Sequence, residues 1–192
     1  VSDNFVESLR AQIPELPDEK KKRFIDKFNL SPYEATILVS DIETSKYFED
    51  VIKSCDVKLA TNWIIGELFS VLNDKNLEIT QSPVSSKNLS KLINLIKKGT
   101  ISGKIAKTIF ELMIDGDKDP EKIVTEKGLK QESDPKALEK LIDKVIDNNR
   151  EKATEYKSGK VKLFGFFVGQ VMKESAGKAN PQLVNEILKK KL

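Results

Sequence analysis

The sequence predicts an all-α protein built as two helical bundles, and three observations carry that prediction. A capping side chain stands directly before proline at four places. Apolar residues recur at spacings of three and four through most of the 192 residues. Two-residue alternation, the mark of a half-buried strand, is hard to find, and Asn76–Thr80 (NLEIT) is the one strand-like stretch.

Taken in order, the first basic run, Lys20–Arg23, falls on a predicted helix and reads as a solvated face. Ser31-Pro32 starts the next helix: the serine oxygen accepts from an orphan N–H, proline has no N–H to lose, and Glu34 completes a capping-box spacing. Cys55 lies between two predicted helices as a buried or incidental thiol. The loop 73–87 separates helices inside the first bundle. Leu89, Leu92, Ile93 and Ile96 form one apolar stripe, which Lys97, Lys98 and Gly99 terminate. Ile105, Ile109, Leu112 and Met113 form another, which ends before Gly116. The least apolar stretch, 115–136, holds two prolines and two glycines. A short helix near Asp119–Lys127 is predicted within it, opened by Asp119-Pro120 and closed by Gly128. The boundary between the bundles is placed near Asp117, giving domains 1–117 and 118–192. Asp134-Pro135 opens a helix with Leu138, Leu141, Ile142, Val145 and Ile146 on one face. Asn180-Pro181 opens the last, with Leu183, Val184, Ile187 and Leu188.

Composition removes several chemistries. With no histidine and one cysteine, a Ser-His-Asp or Cys-His nucleophile cannot be assembled. The usual zinc donors are missing, and so is any disulfide framework, which fits a reducing compartment. Acidic pairs such as Asp41/Glu43, Glu49/Asp50 and Asp115/Asp117 resemble ordinary helical surface. No catalytic, metal or cofactor residues are assigned. The first residue is valine, as expected of a piece of a longer polypeptide. The leading VSDNFVESLR is not a secretory signal, and the longest apolar run is about half the ~20 residues of a spanning helix. The expected location is the cytoplasm, with no membrane.

The segment Leu163–Pro181, LFGFFVGQVMKESAGKANP, asks for a specific explanation. It is not a Walker loop, since Ala179 follows Gly177-Lys178 and no strand precedes it. Gly165 and Gly169 match G-x-x-x-G, a spacing that lets a neighbouring backbone approach. The expectation is a buried helix over Leu163–Met172, packed tightly enough to offset the glycines' low helix propensity. Charge is concentrated here as well. From Lys157 to Leu192 there are eight lysines and two acids, a net charge of six positive against +3 for the whole chain. Residues 1–156 are therefore net negative by three. Such a basic segment is either a solvated face or the footprint of a polyanion.

These residues resemble a known family. Gly159-Lys160, Gly165–Lys173 and Gly177–Pro181 look like the C-terminal motif of the B subunit of aspartyl/glutamyl-tRNA amidotransferases and of the YqeY proteins. Ile13–Phe24, Leu59–Leu68, Leu92–Lys107 and Gly128–Asp134 extend the likeness over nearly the whole chain, and Ile13–Phe24 favours the amidotransferase over a YqeY protein. The resemblance implies a helical domain followed by a mobile, YqeY-like tail that engages tRNA(Gln) or tRNA(Asn). The partners it implies, within a heterotrimeric complex, are the A (amidase) subunit, and the small C subunit. It places the ATP- and Mg²⁺-dependent ligase chemistry, in which misacylated Glu-tRNA(Gln) or Asp-tRNA(Asn) is amidated with glutamine as nitrogen donor, in an N-terminal domain that this sequence lacks. Candidate tRNA contacts are Lys157, Lys160, Lys162, Lys173, Lys178 and Asn180. Lys178 and the backbone N–H groups of the 177–180 turn together form an anion-binding corner. The alternative is a free-standing YqeY-like module that docks other proteins through its glycine helix.

Overall fold

Side-chain caps decide where most of the helices begin. The computed structural model describes residues 15–192, so the reading of the leading decapeptide lies outside the described residues. Helix α1 (Pro17–Phe28) opens on proline and closes at Asn29, whose φ of 54° is left-handed. Helix α2 (Pro32–Leu38) carries the full capping box: Ser31 Oγ accepts the Glu34 N–H at 3.2 Å, and Glu34 Oε2 accepts the Ser31 N–H at 2.8 Å. Asp41 caps α3 (Ile42–Ile52) by accepting the Thr44 N–H at 2.7 Å. Asp56 caps α4 (Val57–Asn62). This helix continues without a break through a π-helical turn, Trp63–Leu68, into α5 (Phe69–Asp74).

The strand-like stretch NLEIT is no strand. Ile79–Gln81 form a 3₁₀ turn, in which Glu78 and Gln81 cap each other reciprocally. The Leu77 N–H returns to the Leu72 carbonyl at 2.8 Å. Its apolar residues serve a loop that packs on α3, and alternation over five residues is too short to distinguish the two. Helix α6 (Ser86–Lys97) follows.

The chain forms two compact units that part between Ile93 and Asn94, inside α6. In the first unit, α1 and α3 meet through a phenylalanine cluster. Phe24 lies 5.4 Å from Phe28 and 5.2 Å from Phe48, centroid to centroid, and Phe28 lies 6.0 Å from Phe48. Phe24 and Phe48 are fully buried, and such pairs contribute ~1 kcal/mol beyond the area they bury. Above them Arg23 bridges Glu15 at 2.6 Å and Glu49 at 2.7 Å. The basic run is not simply a solvated face: Lys22 alone of the four is exposed, Lys20 Nζ donates to Ser45 Oγ at 3.1 Å, and Arg23 ties two helices together.

The second unit contains α7 (Gly103–Ile114), α8 (Pro120–Lys127), α9 (Pro135–Asp147), α10 (Arg150–Lys157), α11 (Leu163–Glu174) and α12 (Pro181–Lys191). Asp119, Asp134 and Asn180 cap α8, α9 and α12, each followed by proline. Gly99 and Gly128, with φ of 70° and 57°, stand where a left-handed residue is required. Helices α9, α11 and α12 enclose a core of Leu138, Ile142, Val145, Phe167, Val171, Val184, Ile187 and Leu188. The stretch 115–136 lies within this unit. Its residues Gln131 and Glu132 bond in two directions. The Gln131 N–H donates to the Thr100 carbonyl at 2.6 Å, and the Glu132 N–H donates to the Lys178 carbonyl at 2.7 Å.

Candidate nucleic-acid interface

The basic tail is displayed by α10, α11, α12 and the turns around them, with Lys191 at the end of α12 paired to Asp143 at 2.6 Å. After α10 the chain reverses at Gly159, whose φ of 109° favours glycine. The Lys160 N–H returns to the Glu155 carbonyl at 3.2 Å, and the Val161 N–H to the Gly159 carbonyl at 2.9 Å. This tight reversal pushes Lys157, Lys160, Val161 and Lys162 into solvent, with Val161 70% exposed. No periodicity or motif in the sequence marks an apolar residue standing that far out between two lysines.

Helix α11 departs from expectation. Phe167 and Val171 are buried in the core, and Phe164, Val168 and Met172 are partly covered. Gly165 and Gly169, however, are exposed, and a Cβ at either position would meet no atom within 4 Å. Among the described residues the glycines therefore do not serve close packing, and the helix is amphipathic rather than buried all round. G-x-x-x-G shows where a backbone can be approached, but it is silent on whether the approaching group belongs to the same chain. At 100° per residue, positions 162, 165, 166, 169 and 173 share one side of the helix. Lys162 and Lys173, eleven residues apart or about 16 Å along the axis, thus bracket a stretch where Gly165 and Gly169 leave main chain open beside the Phe166 ring. Lys152 flanks it, with its Nζ 3.8 Å from the centroid of the Phe166 ring.

The candidate residues differ in availability. Lys157, Lys162 and Lys173 are exposed and make no ion pair among the described residues. Lys160 is held by Glu155 at 2.8 Å, an exposed pair of small worth that keeps Glu155 ionised below the usual range. Lys178 is half-buried in the turn before α12.

That turn is not an anion nest. The Gly177 N–H donates to the Met172 carbonyl, Lys178 to Ser175, and Asn180 to Glu132. The Ala179 N–H donates to Ser175 Oγ at 3.2 Å. The next free amides, of Gln182 and Leu183, are taken by Asn180 Oδ1 at 3.0 and 3.3 Å. With every donor engaged, the turn offers an anion the Lys178 side chain and little else. Asn180 is a helix cap first.

Elsewhere the carboxylates belong to the fold. Glu34, bound by Lys58 and the Ser31 N–H, is pulled down to about 2. Asp41 is lowered by its cap bonds to Thr44 and Ser40 against the opposing effect of burial. Burial raises the Cys55 thiol to about 11, and its Sγ–H donates to the Val51 carbonyl at 3.1 Å. That thiol is protonated at neutral pH and inert. No three carboxylate or thiol groups converge as a metal site among the described residues, and no helix among them is long and apolar enough to cross a membrane.

Comparison with known proteins places this architecture. The B subunit of the aspartyl/glutamyl-tRNA(Asn/Gln) amidotransferase of Pelagibacter ubique (strain HTCC1062) is 78% identical over the whole chain. The proteins of the same description from Rickettsia bellii (strain RML369-C) and Rickettsia africae (strain ESF-5) are 51% and 50% identical, again over the whole chain. The chain spans 40% of the length of each. A family model described as the GatB domain matches residues 46–192, which takes in part of the first unit and all of the second. The chain belongs to the GatB_Yqey family.

Proposed function

We propose that this chain is the tRNA-binding, C-terminal part of an amidotransferase B subunit. It positions misacylated Glu-tRNA(Gln) or Asp-tRNA(Asn) for ATP-dependent amidation by a catalytic portion that lies outside it. The observation that carries the reading is the exposed face of α11. Lys162 and Lys173, neither paired with a carboxylate among the described residues, flank main chain left bare by Gly165 and Gly169. A sugar–phosphate backbone can reach such a face closely, with cations at both ends. Lys157 and Lys178 extend the charge, and the sixfold positive tail sits on a chain otherwise net negative. Recognition of this kind reads shape and backbone, as is common for structured RNA.

The tail domain is taken as residues 118–192, with 1–117 as the helical domain. The support is that the core of α9, α11 and α12 is drawn entirely from Leu138 onward. ATP and Mg²⁺ are assigned to the catalytic portion. The partners are the A (amidase) subunit, and the small C subunit, and the setting is the cytoplasm.

The test is binding of this chain to unmodified tRNA-Gln, tRNA-Asn and an unrelated tRNA between about 50 and 200 mM salt. Each phosphate contact adds about 0.7–0.9 to the log–log salt slope. Lys162→Ala and Lys173→Ala should each weaken binding and reduce that slope by about this amount, and Lys160→Ala should do less. Absence of binding at low salt, or slopes unchanged by the lysine substitutions, refutes the reading. A second reading, a protein-docking module, is favoured by Val161 beside the bare glycine face. It predicts salt-insensitive complexes with the other subunits that Val161→Ser weakens.

A further inference from the structure

A second candidate contact lies in the first unit, far in sequence from the basic tail. The chain has three tyrosines. Tyr47 donates its hydroxyl to the Val84 carbonyl at 2.7 Å. Tyr156 packs tilted against Phe164 with centroids 6.2 Å apart. Tyr33 has no such commitment: it is 71% exposed, and it makes no ring contact or hydrogen bond among the described residues. Tyr33 lines the edge of an open cleft of about 300 Å³ between the start of α2 and the π-helical turn.

The opposite wall is Asn62, Ile65 and Gly66. The π-helical turn interrupts the regular α-helix here, and such interruptions are frequent at functional sites. Gly66 sits inside it, exposed, and a Cβ there would meet nothing within 4 Å. A glycine within a helix costs stability, and no close approach among the described residues accounts for this one. Its effect is to leave main chain open in the cleft that Tyr33 also lines. Asn62 is exposed, and its amide has no partner among the described residues.

The charge at the rim selects the ligand. Glu34 lines the cleft, with Oε1 2.7 Å from Lys58 Nζ and Oε2 accepting the Ser31 N–H at 2.8 Å. Paired with Lys58, the carboxylate leaves the rim without net charge, and its remaining lone pairs accept from an amino group. The cleft therefore suits a neutral planar group with donors and acceptors on its edge.

We propose that this cleft takes one unstacked nucleobase of the bound RNA. The base stacks on Tyr33, and its edge is met by the Asn62 amide and the Glu34 carboxylate. The inference rests on the tRNA-binding reading and adds to it a contact that does not depend on cations. Stacking on an aromatic side chain tolerates any base, whereas the amide and carboxylate favour one that carries an exocyclic amino group.

The experiment measures affinity for an unmodified tRNA transcript, and its salt slope, for the parent chain, Tyr33→Ala, Tyr33→Phe and Lys162→Ala. Loss of one stacked base weakens binding roughly five- to a hundredfold. Tyr33→Ala is expected near tenfold weaker with the parent's slope, Tyr33→Phe near the parent, and Lys162→Ala weaker with a shallower slope. Because Tyr33 is exposed, the melting curve of Tyr33→Ala should match the parent's. If Tyr33→Ala binds as tightly as the parent while Lys162→Ala is impaired, the base site is overturned and the tRNA reading stands. If the parent does not bind the transcript at low salt, both are overturned. If Tyr33→Ala spares tRNA but weakens association with the amidase, the cleft is a protein contact and the base assignment fails.

Discussion

Adding one methyl at Gly165 and one at Gly169 separates two accounts of helix α11 by the sign of the result. Both glycines lie inside the helix, neither has positive φ, and a Cβ at either site enters open space. Alanine is favoured over glycine in a helix by about 0.8–1.0 kcal/mol, and in compatible backbone the measured gain is about 0.4–1 kcal/mol. No steric term opposes it here. Gly165→Ala/Gly169→Ala should therefore be more stable by about 1–2 kcal/mol. At about 2–4 °C per kcal/mol for a chain of this size, the melting temperature should rise by roughly 2–8 °C. Urea unfolding should show a higher midpoint with an unchanged m-value, the mark of a stability change alone. On the proposed tRNA face the same methyls hold the sugar–phosphate backbone away, so affinity should fall while stability rises. A fall in stability would refute the reasoning. It would mean that the face is packed in solution, and a dependence of the midpoint on protein concentration would show that a second copy does the packing.

Two further predictions concern the caps. Asn180→Ala removes the acceptor of the Gln182 and Leu183 amides and should cost about 1 kcal/mol, seen as a lower urea midpoint, with Asn180→Asp near neutral. Once folded, Asn180→Ala should bind tRNA like the parent, since the turn's amides are already engaged; a loss of affinity at full folding would reinstate Asn180 as a contact. Glu34 contributes a defined pH dependence. Its carboxyl is lowered from 4.5 to about 2 in the folded chain, by Lys58 first and then the Ser31 N–H, so the unfolded chain binds the proton more readily. The stabilisation is complete above the unfolded value and is lost as pH falls from about 4.5 toward 2. Urea midpoints across that range should drop less for Glu34→Gln than for the parent; equal slopes would show that other carboxylates carry the acid limb.

The parts of this molecule legible in the sequence are those fixed by near neighbours. The four capping side chains placed before proline all cap helices, because the geometry needs only the next two or three residues. Stripes such as Leu138, Ile142 and Val145 do face a core, because burial follows from periodicity whatever the partner is. Three features escaped for physical reasons. The π-helical turn at Trp63–Leu68 carries the same apolar spacing as an α-helix, so periodicity passes over it. The amides of the 177–180 turn look free until residue 132, nearly fifty positions upstream, arrives to take one of them. Val161 stands out between two lysines because the chain reverses at Gly159, and no local pattern announces that exposure.

The glycines of α11 are the most instructive of these differences. Reading them as a packing device followed from a sound premise, that two helix-interior glycines cost about 1 kcal/mol each and some contact must offset it. The structure keeps the cost and shows no offsetting contact among the described residues: both positions are exposed, on a helix anchored to the core by Phe167 and Val171. An interior that already packs without them does not need glycine there, and alanine would serve the fold better. What glycine provides at these positions is access to the main chain, and access matters only to something that comes from outside. Lys162 and Lys173 at the two ends of that opening make a polyanion the visitor that best fits it.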